Sequence, residues 1–139
     1  MKNRNCILVV DDDQDALLFL GERLHALGYD VLTAGNGKEG LETLHSQSVD
    51  GVLLDLHMPV MGGMTMLEEL GNPFENPPVI VMSATAHRSE LLKAISKGAL
   101  DWLFKPIDQE ELARKCSRLF KNVPDYLNKG RSISRQKGW

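Results

Sequence analysis

Gly51-Val52-Leu53-Leu54-Asp55-Leu56-His57-Met58-Pro59 opens as an apolar run of strand length, ends on an acid and then turns. A run this short, without polar alternation, fits a strand of a parallel sheet covered by helices on both faces. The same form recurs on either side of it. Cys6-Ile7-Leu8-Val9-Val10 leads into Asp11-Asp12-Asp13, and Val79-Ile80-Val81-Met82 leads into Ser83-Ala84-Thr85. Tyr29 to Ala34 and Leu100 to Phe104 are weaker candidates at the same spacing, and the second meets Lys105-Pro106. Five strands are expected.

Helical patterns fill the gaps. Leu17, Leu20, Leu24 and Leu27 recur at steps of three and four, and Gly28 offers a stop. Leu41 with Leu44, Met64 with Leu67 and Leu70, and Leu91 with Ile95 repeat the pattern more briefly, and Leu112, Cys116, Leu119 and Val123 mark a last helix. Asp108, with Glu111 three residues on, suits the start of that helix as a capping box. Strand and helix in strict alternation predict an open, doubly wound α/β sheet, because parallel strands need crossover helices.

Composition narrows the class. A chain of 139 residues suits one domain. Its 42% hydrophobic and 25% charged residues exclude a disordered chain, and no apolar run reaches membrane-spanning length. The run Ile7 to Val10 stops at three aspartates, which excludes a signal peptide and makes the cytoplasm the expected compartment. A net charge of -3 gives no global attraction for nucleic acid. Only the stretch after Lys121 is basic, and residues 124–139 read as a polar linker or frayed end behind a domain of residues 1–123. Cys6 and Cys116 lack metal-ligand spacing and read as reduced packing residues.

Ligands bind at the carboxyl edge of an open α/β sheet, and every distinctive motif falls at such an edge. Asp11, Asp12 and Asp13 together with Asp55 would repel one another unless a cation intervenes. Their oxygens favour a hard divalent ion, and Mg²⁺ in particular keeps positions open for water and a phosphate oxygen. Lys105 adds positive charge and Ser83 a hydroxyl donor, the groups that phosphoryl transfer needs around its equatorial oxygens.

From about Cys6 to Phe120 the chain resembles the receiver domains of two-component response regulators. Val9-Val10-Asp11-Asp12, Asp55-Leu56-His57-Met58-Pro59-Val60-Met61-Gly62-Gly63, Ser83-Ala84 and Lys105-Pro106 carry the resemblance in identity, order and spacing. It implies a flavodoxin-like (βα)5 sheet of order 2-1-3-4-5. It also implies that Asp55 accepts a phosphoryl group from a histidine kinase or histidine phosphotransfer protein. Mg²⁺ would be held by Asp12 directly, Asp11 through water, Asp55, and the backbone carbonyl of His57. Lys105, the Ser83 hydroxyl and the Ala84 backbone N–H would meet the phosphoryl oxygens. Ser83 and Trp102 would form the switch, His57 and Thr85 would modulate hydrolysis, and Pro106 would follow a cis peptide. The implied protein is a signalling switch rather than a dedicated enzyme, either stand-alone or cut from a longer regulator or hybrid kinase. It would act through an unknown downstream protein or a homodimer, without contacting nucleic acid or membrane.

Plainer roles compete. Asp13 suits a helix cap. His25, His45 and His87 read as surface or capping residues, and Met58, Met61, Met64 and Met66 as packing. Trp102 stands where the family commonly has Tyr or Phe, which puts the usual inward rotation in doubt. Gly62, an extra glycine before the family's Gly63, suggests a looser loop. Two other classes share parts of the pattern. A haloacid-dehalogenase-like phosphatase would use Asp11 as nucleophile, but Asp15 misses its Thr/Val position and no acidic pair follows Lys105. A flavodoxin-like cofactor binder would need a phosphate loop where three acids stand.

Overall fold

The computed structural model describes residues 4–121. Along them run β1 (Cys6–Val10), α1 (Gln14–Ala26), β2 (Asp30–Ala34), α2 (Gly37–Ser46), β3 (Gly51–Asp55), α3 (Gly63–Leu70), β4 (Val79–Ala84), α4 (Ser89–Ser96), β5 (Asp101–Lys105) and α5 (Gln109–Lys121). The strands are all parallel and ordered β2-β1-β3-β4-β5. The sheet order implied by the family resemblance is therefore the observed one. The chain reverses direction across the sheet between β1 and β3, which opens a crevice at their carboxyl ends.

Period-two alternation sorts each strand into two faces. Ile7, Val9, Leu53, Ile80, Met82 and Leu103 pack against Leu17, Leu20 and Leu24 of α1 and Leu112, Cys116 and Leu119 of α5. Leu8, Val10, Val52, Leu54 and Val81 pack on the other side against Met66, Leu67, Leu91 and Ala94. Each fully buried Leu or Ile contributes roughly 1.5–3 kcal/mol, so these two layers hold the sheet rigid beneath its loops. Met58, Met61 and Met64 pack against the second layer, as their reading as packing residues requires.

Local signals set the element ends. Asp13 caps α1 by accepting from the N–H groups of Asp15 at 2.9 Å and Ala16 at 3.4 Å. Asn36 caps α2 through the Glu39 N–H at 2.9 Å, and the Glu39 carboxylate reaches back to the Gly35 N–H at 2.8 Å. Asp108 accepts from the Glu111 N–H at 3.0 Å, the expected start of α5. Gly28, with φ 102, takes the left-handed turn that ends the first helical unit. Leu27 lies at that end and is exposed rather than part of the core stripe. Strand β2 begins at Asp30, where its pairing with Cys6 of β1 starts, and Tyr29 just before it packs on Phe120. Val123 and residues 124–139 lie outside the described residues.

Gly62 has φ -62, a conformation open to any residue, so the backbone does not use its extra freedom. Met61 instead carries the positive φ, at 46. Gly63 is required for space: a Cβ there would stand 2.4 Å from the Asp55 carbonyl oxygen and 2.8 Å from the Leu56 Cα. This contact seats α3 directly on the peptide that carries Asp55.

Candidate functional site

Three strand ends bring their polar residues together. Asp11, just after β1, is fully buried, and its two oxygens accept from the Asp13 N–H at 3.0 Å and from Lys105 Nζ at 3.1 Å. Asp55, the last residue of β3, is also buried; Oδ1 accepts from the His57 N–H at 3.2 Å and Oδ2 lies 3.3 Å from Lys105 Nζ. Lys105, at the end of β5, thus bridges two carboxylates that the sheet order would otherwise set against each other. Asp12 is exposed beside them, and carboxylate oxygens of Asp11, Asp12 and Asp55 all lie within 4.8 Å of one another.

Electrostatics follow from this packing. Burial pushes the Asp55 carboxyl above its usual range, and the Asp11 charge adds to the rise, against the His57 N–H and Lys105. Burial alone would lower Lys105, but its hydrogen bond to Asp11 and the charges of Asp55 and Asp11 outweigh that and raise it, so the ammonium stays charged. Three carboxyl groups stand against one ammonium at one crevice. A hard divalent cation suits this donor set: the atoms are oxygens, they converge, and Asp12 faces solvent where an ion can enter.

The remaining expected residues fall around the same crevice. Ser83 is buried, and among the described residues its hydroxyl donates only a long 3.4 Å hydrogen bond, to the Ala84 carbonyl. Ala84 stands opposite Lys105 in the sheet, and Ser83 opposite Phe104. Thr85 is exposed and begins a 3-10 turn, Thr85–His87. The Lys105-Pro106 peptide is cis. His57 divides its contacts, with its N–H on Asp55 and its imidazole Nε2 3.2 Å from Glu90 Oε1.

Trp102 lies opposite Val81, one step back from the Ser83–Phe104 pair on the same sheet face, and is half exposed. It borders a shallow groove of about 340 Å³ lined by Arg88, Ser89, Leu91, Leu92, Trp102 and Phe104. Lys115 of α5 was missed by motif reading. It is buried, pairs with Asp101 at 3.2 Å, donates to the Trp102 carbonyl and sits 5.0 Å from the indole centre. Its position three residues after Leu112 puts it on the apolar stripe with Cys116 and Leu119, and that placement was the available signal.

Comparison with known proteins places this arrangement. Residues 7–117 match the response regulator receiver domain family. The transcriptional regulatory protein GlrR of Escherichia coli is 39% identical over 106 residues, covering 76% of this chain and 24% of that protein. The transcriptional regulatory protein PrrA of Mycobacterium tuberculosis is 34% identical over 115 residues, covering 83% of this chain and 49% of that protein. The chain thus spans about a quarter to a half of the length of these relatives. Among solved structures, the receiver domain of Francisella response regulator 1452 superposes with a TM-score of 0.79 at 29% identity, covering 87% of this chain and all of that one. The Vibrio cholerae chemotaxis protein CheY4 gives 0.78 at 25% identity, covering 85% of this chain and all of that one. Sequence match, sheet order and superposition agree: the chain belongs to the response regulator receiver domain family of two-component systems.

Proposed function

We propose that this receiver is a phosphorylation-controlled switch in which Asp55 takes a phosphoryl group from the phosphohistidine of a histidine kinase or histidine phosphotransfer protein. The observation that carries the reading is the buried Asp55 carboxylate, 3.3 Å from the Lys105 ammonium and clustered with Asp11 and Asp12.

In the proposed step an Asp55 carboxylate oxygen attacks phosphorus, an O–P bond forms, and the N–P bond of the phosphohistidine breaks. The leaving imidazole keeps that electron pair and takes a proton from solvent. Asp55 is positioned by its His57 N–H contact and by the seat of α3 behind it, so attack needs little reorganisation. Lys105 supplies charge for the phosphoryl oxygens, joined by the Ser83 hydroxyl and the Ala84 N–H. Asp12, Asp11, Asp55 and the His57 carbonyl would hold Mg²⁺, which when bound supplies positive charge that offsets the crowded carboxylates and the incoming phosphate. His57 and Thr85 flank the product and would set its hydrolysis rate.

Output on this reading runs through protein contacts, by homodimerisation or a downstream partner, across residues 87 to 120. The apolar groove beside Trp102 and the 77% exposure of Leu92 support that face. Residues 1–123 form the switch and residues 124–139 a linker, in a cytoplasmic protein that stands alone or forms part of a longer regulator. Among the described residues no helix is long and apolar enough to cross a membrane.

The test is labelling of the full chain with a phosphoramidate donor or cognate kinase in Mg²⁺. Label should map to Asp55 and disappear in Asp55→Asn. Undiminished labelling of that variant, or label on Asp11 as a phosphatase of the other class would give, overturns the assignment.

A further inference from the structure

A second cluster of metal-binding atoms stands beside the phosphoryl site, and it includes the imidazole of His57, which flanks that site. His57 Nε2 lies 3.2 Å from Glu90 Oε1, and His87 Nδ1 lies 3.5 Å from the same oxygen. The two imidazole rings stand 4.0 Å apart, centre to centre. One donor atom from each of the three residues falls within 4.8 Å of the others.

The two spacings from Glu90 are those of a coordination shell. Four ligands at the roughly 2.0–2.1 Å usual for Zn²⁺ on nitrogen or oxygen stand about 3.3–3.4 Å from one another in a tetrahedron. The two separations from Glu90 Oε1 bracket that value. Two imidazole nitrogens converge on one carboxylate oxygen with their rings almost in contact, and a single ion among them would take a lone pair from each nitrogen and from that oxygen. All three side chains are 34–47% exposed, so an ion reaches them from solvent, and water can complete the shell.

The donor set also separates this cluster from the acidic one. Two imidazoles and one carboxylate suit borderline ions such as Zn²⁺, Co²⁺ or Ni²⁺, whereas the oxygens of Asp11, Asp12 and Asp55 suit Mg²⁺. Thiolate competition is absent at Cys116, because burial pushes its thiol up to about 12.

The elements involved give such an ion a mechanical role. His57 belongs to the loop between β3 and α3, His87 ends the 3-10 turn after β4, and Glu90 lies in the first turn of α4. We propose that His57, His87 and Glu90 form a site for a borderline divalent transition-metal ion. Its occupancy fastens together the two loops that flank Asp55.

The experiment uses the full, tag-free chain in excess Mg²⁺, so that the acidic crevice is already supplied. Titration with Co²⁺ should give one equivalent bound with ligand-field absorption, displaced by Zn²⁺. Changing outer-shell partners of metal sites costs about 10–100-fold in affinity, so His87→Ala, which removes a direct ligand, should weaken Co²⁺ binding at least tenfold. Asp55→Asn should leave it unchanged. Zn²⁺ should slow amide hydrogen exchange over residues 85–90 in the parent and not in His87→Ala. Equal Co²⁺ affinity in the parent and His87→Ala, or loss of binding in Asp55→Asn alone, would overturn the site. Unaltered exchange over residues 85–90 with Zn²⁺ bound would overturn the clamp.

Discussion

Lys115 and Trp102 are joined twice: the ammonium donates to the Trp102 main-chain carbonyl and also lies 5.0 Å from the centre of its indole. With Asp101 at 3.2 Å, the buried cation ties α5 to the outer strand of the sheet. Lys115→Met keeps most of the apolar stem but removes the ammonium from the Trp102 carbonyl, and it leaves Asp101 the Trp102 N–H at 2.8 Å without a counter-charge. It should destabilise the fold by roughly 1–3 kcal/mol, read as a lowered urea midpoint with an unchanged slope.

The same contact bears on switching. An inward turn of Trp102 must slide past Phe104, which stands beside Ser83 in the sheet, and must break the ring's cation contact. With Trp139 replaced by Phe, phosphorylation should lower the access of a soluble quencher to Trp102. Equal quenching before and after stoichiometric phosphorylation, while partner binding still changes, would make the indole a bystander.

Two adjacent aspartates, Asp12 and Asp13, should separate by phenotype. Asp13 caps α1, so Asp13→Ala should cost about 1 kcal/mol of stability and leave Asp55 labelling intact. Asp12 is exposed and makes no cap, so Asp12→Ala should keep its stability while needing at least about tenfold more Mg²⁺ for the same labelling rate. Chemical denaturation and a Mg²⁺ titration of labelling read the two effects independently.

Lys105 holds Asp11 and Asp55 together at 3.1 and 3.3 Å. Lys105→Ala should still be labelled, since Asp11, Asp12 and Asp55 stay, but more slowly and without the normal change in partner binding. A Lys105→Ala protein that switches its partner normally would remove the lysine from the mechanism.

Cys116 gives a pH signature. Its folded pKa of about 12 lies above the ordinary thiol value of 9.0, so between the two the unfolded chain sheds a proton that the folded chain keeps. Stability from this group is complete below about pH 9 and declines as pH rises toward 12. Tyr29, also raised by burial, acts in the same direction. The comparison is therefore between the parent and Cys116→Ala with Tyr29 intact, and the variant should lose less stability from pH 8.5 to 10.5, a window taken as roughly spanning the thiol's unfolded pKa. Parallel alkaline curves for the two proteins would show that the thiol does not titrate on unfolding.

Much of this was legible in the chain. β1, β3 and β4 read correctly because both faces of each are buried and the runs are unbroken. β2 and β5 were blurred by partial exposure, which admits Thr33 and Trp102 among their apolar residues. The acid, hydroxyl and lysine motifs were visible because each directly follows an apolar run. Two things were hidden. Lys115 belongs to no motif, and its place on the apolar stripe of α5 gains a reason only when Asp101 of β5 is brought against it. His87 reads as a surface residue until β3 and β4, adjacent in the sheet, set it against His57.

Gly62 and Gly63 are chemically the same and should differ sharply in a library that randomises both. At position 62 a new Cβ meets nothing closer than 3.4 Å, and φ -62 suits many residues, so diverse side chains should survive selection for a folded, labelled protein. At position 63 even a methyl group collides with the main chain of Asp55 and Leu56, and survivors should be almost all glycine. The peptide bond of Asp55 therefore polices a residue eight positions downstream, and a homologue lacking that glycine would need a differently shaped loop after β3.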